Sequence, residues 1–289
     1  MFQGSMVALV TPFKKGRVDK LALKKLVDFQ IANGTDAIIP CGTTGEAATL
    51  SHEEHKMVLS FVVNHVAGRV PVICGAGSNN TKEALELTKY AKSIKADGVL
   101  LVSPYYNKPT QEGLYRHYSE IANAVSVPIV LYNVPSRTGS SIEPDTVARL
   151  AKISNIVAIK EASGSLEQVT KILTLVPRFT VISGDDALTM PMMAIGAKGV
   201  ISVLANIVPD RMSQMVHAVL NGDYKLARKM HYNLYSLSKA MFIETNPIPV
   251  KAALHLMGKI SNEIRLPLTP LPKEKARMLE KILKLYNVK

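Results

Sequence analysis

The chain has 289 residues, a formal net charge of +12, 47% hydrophobic residues and only 6% aromatic ones, with no Trp. That length suits a single α/β barrel of roughly 250 residues with a tail, and an aliphatic core suits a parallel sheet covered by helices on both faces. Its two cysteines, Cys41 and Cys74, rule out a disulfide framework, and no apolar run reaches the roughly 18 residues of a membrane span.

No secretory signal pattern opens the sequence, so a soluble cytoplasmic protein is expected. The basic residues are scattered along helical segments, without an RNP signature, zinc-finger spacing or Arg-rich tract. This argues against nucleic acid and leaves small anionic substrates as the natural partners of the charge.

Eight short apolar runs read as strands: Met6–Val10, Ala37–Ile39, Val70–Cys74, Gly98–Val102, Ile129–Tyr132, Ile156–Lys160, Thr180–Ser183 and Gly199–Val203. Between them, apolar residues recur at helical spacing over Asp19–Asn33, Ser51–Ala67, Thr81–Ile94, Thr110–Ala124, Glu143–Lys152, Leu166–Leu175 and Ala187–Ile195. Ser51 stands three residues before Glu54, the capping-box spacing, and Thr110 and Ser165 are further N-cap candidates. Phe2-Gln3-Gly4-Ser5 runs straight into the first apolar segment and is read as part of the fold.

Strand–helix units repeated eight times specify a closed (β/α)8 barrel. A doubly wound open sheet is the alternative, but the turn after the first strand is Thr-Pro-Phe and carries no GxGxxG. After the eighth strand only helical patterns follow. Pro209–Asn221 would close the barrel. Asp223–Ile243, Pro249–Met257 and Lys273–Leu285 would form a small all-helical appendage, with Thr245–Pro249 and Leu266–Pro272 as connectors. The expected division is residues 1–222 for the barrel and 223–289 for the appendage.

In such barrels chemistry sits where the strands end. Lys160 closes the run Asn-Ile-Val-Ala-Ile-Lys, so its stem lies among apolar walls. Desolvation disfavours a charged amine, and a neutral amine can attack a ketone to form an imine. Position alone leaves a plain strand-end lysine equally open. Tyr132 ends the neighbouring strand and could move protons for Lys160, supported by the Thr43 hydroxyl. A barrel-core tyrosine satisfied by a neighbour is the other reading. Gly42-Thr43-Thr44-Gly45-Glu46 could bind an anion through backbone N–H groups or be an ordinary turn. It is no P-loop. The planar fork of Arg137 suits a substrate carboxylate or a surface ion pair. His52-Glu53-Glu54-His55 spaces its histidines at i, i+3 rather than the i, i+4 of HExxH, so no metal site is expected.

Together these segments resemble the dihydrodipicolinate synthase family within the N-acetylneuraminate lyase superfamily. The resemblance runs through nearly the whole chain. It rests on Gly42-Thr43-Thr44-Gly45-Glu46, on Tyr132-Asn133-Val134-Pro135-Ser136-Arg137-Thr138-Gly139, and on Ile159-Lys160-Glu161-Ala162-Ser163-Gly164. The first and third are common to the superfamily, while Arg137 is typical of the synthases.

The resemblance implies that Lys160 forms a Schiff base with pyruvate and that Tyr132 is the general acid/base. It implies that Thr43 links Tyr132 to Tyr106 of a neighbouring subunit in a hydroxyl relay. Thr44 would hold the pyruvate carboxylate, and Arg137 that of L-aspartate 4-semialdehyde. Gly184 and Ile201 would supply backbone around the lysine. No metal or organic cofactor is implied, and a homotetramer built as a dimer of dimers is.

The resemblance also implies a second site, for inhibition by L-lysine at a subunit interface, at Ala48, His52, His55, Asn79, Glu83 and Tyr105; a polar, catalytically silent interface is the other reading. Ala47 stands where lysine-sensitive members often carry Ser. Two competing readings are a sister aldolase for sialic acid or a 2-keto-3-deoxy sugar acid, and a catalytically retired barrel that binds a ligand or nucleic acid.

Overall fold

The computed structural model describes residues 2–288. The outermost residues of the two predicted segments, Met1 and Lys289, lie outside the described residues. Eight parallel strands form one sheet: β1 Gly4–Ala8, β2 Ala37–Ile39, β3 Ile73–Gly75, β4 Gly98–Val102, β5 Ile129–Asn133, β6 Ile156–Glu161, β7 Thr180–Ser183 and β8 Gly199–Ser202. Sequence neighbours pair from β3 to β8, and β8 returns to β1 with Met6 opposite Ile201. β1 pairs with β2, and a single bridge between Ile38 and Val72 joins β2 to the approach of β3. The result is a (β/α)8 barrel followed by helices, as the strand–helix rhythm predicts.

Side chains alternate across each strand, so every strand feeds two cores. Met6, Ile39, Ile73, Leu100, Val130, Ala158, Ile182 and Ile201 fill the barrel. Val7, Ile38, Leu131, Ile159 and Val181 pack outward against the helices. With both faces buried, the strands read as continuous apolar runs rather than as alternating ones. Phe2, 6% exposed, packs in the inner core beside Gly98.

The barrel helices are α1 Lys20–Ala32, α2 His52–Val66, α3 Thr81–Ser93, α4 Gln111–Ala124, α5 Pro144–Leu150, α6 Leu166–Leu175, α7 Thr189–Ala194 and α8 Pro209–Leu220. The predicted caps form. Ser51 and Glu54 make both halves of a capping box, Thr110 accepts from Gly113 N, and Ser165 accepts from Gln168 N. α9 Tyr224–Ala240, α10 Ile248–Leu256 and α11 Lys273–Leu285 follow.

Four differences from the sequence reading have local causes. β3 starts at Ile73 rather than Val70, because Pro71 has no N–H to donate and contributes only its carbonyl, to Ile38 N at 3.0 Å. The helix expected over 187–195 splits into a 3-10 turn, Asp186–Leu188, and α7, because Pro191 breaks the hydrogen-bond ladder. A two-residue hairpin pairs Phe13–Lys14 with Arg17–Val18 around Lys15 and Gly16, both at positive φ, too short to leave a periodic trace. A single helical turn, Pro135–Thr138, follows β5.

Candidate active site

Strand parity decides what enters the barrel. Ala158 faces inward, so Lys160 does too, while Ile159 and Glu161 face out. On β5, Val130 and Tyr132 face inward by the same count. The register places Tyr132 directly opposite Lys160. Lys160 is 5% exposed, and its Nζ lies 4.2 Å from the centroid of the Tyr132 ring. An amine and a phenol on adjacent strands of a rigid sheet thus share one buried space.

Outward-facing neighbours lock that pair. Asn133 Nδ2 donates to both Glu161 oxygens at 3.2 and 3.0 Å, and Ser163 N donates to Glu161 Oε1 at 2.7 Å. Burial raises the Glu161 carboxyl above the usual range, against the pull of these donors. Gly184 follows β7 and donates its N–H to Glu161 O at 2.8 Å. A Cβ built on Gly184 would come within 2.6 Å of Ala162 Cβ and 3.0 Å of Lys160 Cε, so only glycine leaves the lysine stem its room. Ile201, fully buried, completes the inner wall.

The Gly42–Glu46 segment after β2 is a tight turn with Cys41 and Glu46 both at positive φ. The N–H groups of Gly45, Glu46 and Ala47 bond back to Gly42 and Thr43 carbonyls. Those of Thr43 and Thr44 find no partner among the described residues. The turn is held from outside by a buried ion pair. Lys251 Nζ, on α10, donates to Glu46 Oε1 and to Thr11 O, the latter at 3.0 Å. Thr11 Oγ1 donates to Gly45 O at 2.7 Å, and Arg265 N to Glu46 Oε2 at 3.1 Å. Burial pushes the Lys251 ammonium below the ordinary lysine range, opposed by the Glu46 charge beside it.

One cavity of about 590 Å³ runs across the rim. Thr43, Tyr132 and Arg137 line it together with Ala48, His52, His55, Glu83 and Tyr105. Lys160 and Thr44 are buried and do not themselves line it, but Tyr132 and Thr43 beside them do. Arg137 Nη2 donates to Asn246 O at 3.2 Å, and Asn246 Nδ2 donates to Thr44 Oγ1 at 3.0 Å. Neither Asn246 nor the Glu46–Lys251 pair is announced by any local motif.

Tyr106 stands apart from this cavity. It is 90% exposed, at φ +72°, in a γ-turn closed by Asn107 N donating to Tyr105 O at 2.9 Å. That hand of γ-turn is rare and strained, and it carries the ring away from its own barrel.

In the second group, Glu83 accepts from Ser78 Oγ at 2.6 Å and lies 3.5 Å from His52 Nε2. Asn79 Nδ2 donates to Tyr105 O at 3.1 Å. His55 is buried, which holds its imidazole below the ordinary histidine range, opposed by the Gly75 hydrogen bond. Its Nε2 donates to Gly75 O at 2.8 Å, which fixes the tautomer. His52 and His55 thus serve different surroundings. Among the described residues no group of three or more His, Cys, Asp or Glu gathers as a metal site, and no helix is long and apolar enough to cross a membrane.

A barrel with one lysine buried at the end of its sixth strand, against a tyrosine on the fifth, defines an enzyme: a lyase of the class I aldolase type. The model of the dihydrodipicolinate synthetase family matches residues 1–286, and the chain belongs to that family. A relative from Geobacter sulfurreducens, named 4-hydroxy-tetrahydrodipicolinate synthase, is 59% identical over 289 residues, all of both chains.

The crystal structure of dihydrodipicolinate synthase from Aquifex aeolicus superposes with a TM-score of 0.98 at 52% identity, covering 99% of each chain. The chloride-inhibited enzyme of Acinetobacter baumannii, complexed with pyruvate, gives 0.98 at 48% identity, covering 100% of each. The enzyme of Cyanidioschyzon merolae with lysine bound gives 0.96 at 42% identity, over 99% of this chain and 98% of that one. The chain carries the synthase activity of this family, in the diaminopimelate route to lysine.

Proposed function

We propose that the enzyme condenses pyruvate with L-aspartate 4-semialdehyde on Lys160. Lys160 attacks the pyruvate ketone and loses water to give an imine. Loss of a methyl proton gives an enamine, whose carbon adds to the aldehyde. The amine of the second substrate then attacks the imine carbon, closes the ring and releases Lys160. The imine nitrogen is itself the electron sink, so the chemistry calls for no further cofactor. Tyr132 moves the protons at the carbinolamine and at the new alcohol. The observation that carries this reading is the inward pairing of Lys160 and Tyr132 across β5 and β6.

The remaining roles follow the cavity. Thr44, with the unpaired N–H groups of its turn, receives the pyruvate carboxylate. Arg137 receives that of the semialdehyde, and Gly184 and Ile201 shape the wall behind the lysine. Thr43 joins Tyr132 to the partner subunit's Tyr106, and the exposed, strained placement of Tyr106 in each chain suits delivery to a neighbour. A dimer is then the smallest active unit, and a tetramer made of two such dimers, working in the cytoplasm, is the proposed assembly. Residues 223–289 act as a helical appendage that clamps the rim.

L-Lysine is the proposed inhibitor, seated among Ala48, His52, His55, Asn79, Glu83 and Tyr105. Ala47 lacks the hydroxyl common in sensitive relatives, which weakens this grip. A shared cavity supports coupling between the two sites.

Turnover assays separate this from the sister aldolases. Pyruvate plus aspartate semialdehyde should be consumed together, with no cleavage of N-acetylneuraminate or 2-keto-3-deoxygluconate. Cleavage of either sugar acid without condensation would overturn the reading.

A further inference from the structure

A threonine hydroxyl has one proton to give and lone pairs that accept. Whether it gives that proton to a bound carboxylate depends on what else it touches. Thr44 is 2% exposed, and the only side chain bonded to its Oγ1 among the described residues is Asn246, which donates from Nδ2 at 3.0 Å. Asn246 is 5% exposed, and its Oδ1 is buried without a partner among the described residues. In this arrangement the donor end of the amide faces Thr44 and the acceptor end is open. The opposite setting would take the hydroxyl's proton.

We propose that Asn246 is a positioning residue for the 2-keto acid. By donating to Thr44 Oγ1 it occupies an acceptor position of that hydroxyl and leaves the proton for the substrate carboxylate. Together with the unpaired N–H groups of Thr43 and Thr44, this makes a seat of three donors for one anion. The inference rests on the reading of Thr44 as the pyruvate carboxylate site.

Asn246 also reaches the second substrate, by a different atom. Its backbone carbonyl accepts from Arg137 Nη2 at 3.2 Å. Side-chain substitution leaves that carbonyl in place, so the two carboxylate grips separate experimentally. A residue that merely packs the rim would disturb both.

The test is steady-state kinetics on the full-length enzyme, with melting curves to confirm folding. Asn246→Ala should raise KM for pyruvate roughly 10-fold, the loss of one hydrogen bond that organises a charged contact, and leave KM for aspartate semialdehyde within about twofold. Asn246→Asp should be worse, roughly 100-fold, because a carboxylate accepts the Thr44 proton and repels the substrate. In a Thr44→Val background, Asn246→Ala should add less than about twofold. Should Asn246→Ala melt below the assay temperature, Asn246→Ser, too short to reach Thr44, takes its place.

The proposal is overturned if Asn246→Asp binds pyruvate as well as wild type or better than Asn246→Ala. It is also overturned if the Thr44 and Asn246 effects multiply, or if both Michaelis constants rise together. A wild-type enzyme that forms no borohydride-trapped pyruvate adduct would sink the reading of the whole site, a separate failure.

Discussion

The two parts of the cavity are held in different ways. At the catalytic end, Tyr132 and Lys160 stand on adjacent barrel strands and are 7% and 5% exposed, and Thr44 is fixed by Asn246. At the other end, His55 is buried and bonded to Gly75, but His52 and Tyr105 are exposed, on the first turn of α2 and on a loop, and their contacts are few. Strands hydrogen-bonded on both sides and backed by two close-packed cores hold a side chain rigidly. A loop or helix end lets a ligand reshape its contacts. A rigid centre beside an adjustable end is the arrangement on which the proposed inhibition by L-lysine would act.

The sharpest way to break this contrast is at its rigid end. Lys160→Ala should lower kcat by roughly 10⁴-fold or more with the melting curve little changed, since the imine has no other amine to form on. Retention of substantial turnover would place the chemistry elsewhere. Gly184→Ala should come close behind, because the added methyl meets the lysine stem at 3.0 Å.

The clamp behind the rim comes next. Lys251→Ala strands Glu46 as a buried, uncompensated carboxylate, which should cost about 3–5 kcal/mol of stability by denaturant titration. A loss under about 1 kcal/mol would mean that the pair does not secure the Gly42–Glu46 turn.

His117, on α4, tests whether burial outside the site behaves as burial within it. Its Nδ1 meets Thr81 Oγ1 at 2.9 Å, its Nε2 is unpartnered among the described residues, and burial lowers its imidazole from 6.5 to about 4. The unfolded chain takes up a proton below pH 6.5, and the folded chain does so only near 4. Stability should therefore be full above 6.5 and fall as pH drops through that window, by about 3 kcal/mol at most. His117→Phe should flatten this slope in pH-dependent melts.

The smallest effect belongs to the adjustable end. His52→Ala should leave kcat unchanged and raise the half-inhibiting lysine concentration by roughly threefold, because His52 and Glu83 form only an exposed contact at 3.5 Å. A fall in kcat would show that this end is part of the reaction centre.

What the sequence disclosed follows the same division. The eight strands were legible because both their faces are buried and their apolar runs are unbroken. Lys160 stood out as the one charge ending such a run, and the capping residues of α2, α4 and α6 carried their own local signal. Asn246 did not, because its partner Thr44 lies 202 residues away and the bond exists only once the segment before α10 folds over the rim. The Glu46–Lys251 pair, 205 residues apart, was hidden for the same reason. The γ-turn at Tyr106 and the hairpin at Lys15–Gly16 are single-residue backbone choices with no periodicity to betray them.

The central claim is that Lys160 forms an imine with pyruvate, and one measurement meets it directly. The protein is incubated with pyruvate, reduced with borohydride, digested and mapped by mass spectrometry. One reduced pyruvyl group should appear per chain, on the peptide containing Lys160, and Lys160→Ala should abolish it. No adduct on the wild-type enzyme, or an adduct that survives in Lys160→Ala, would contradict the account.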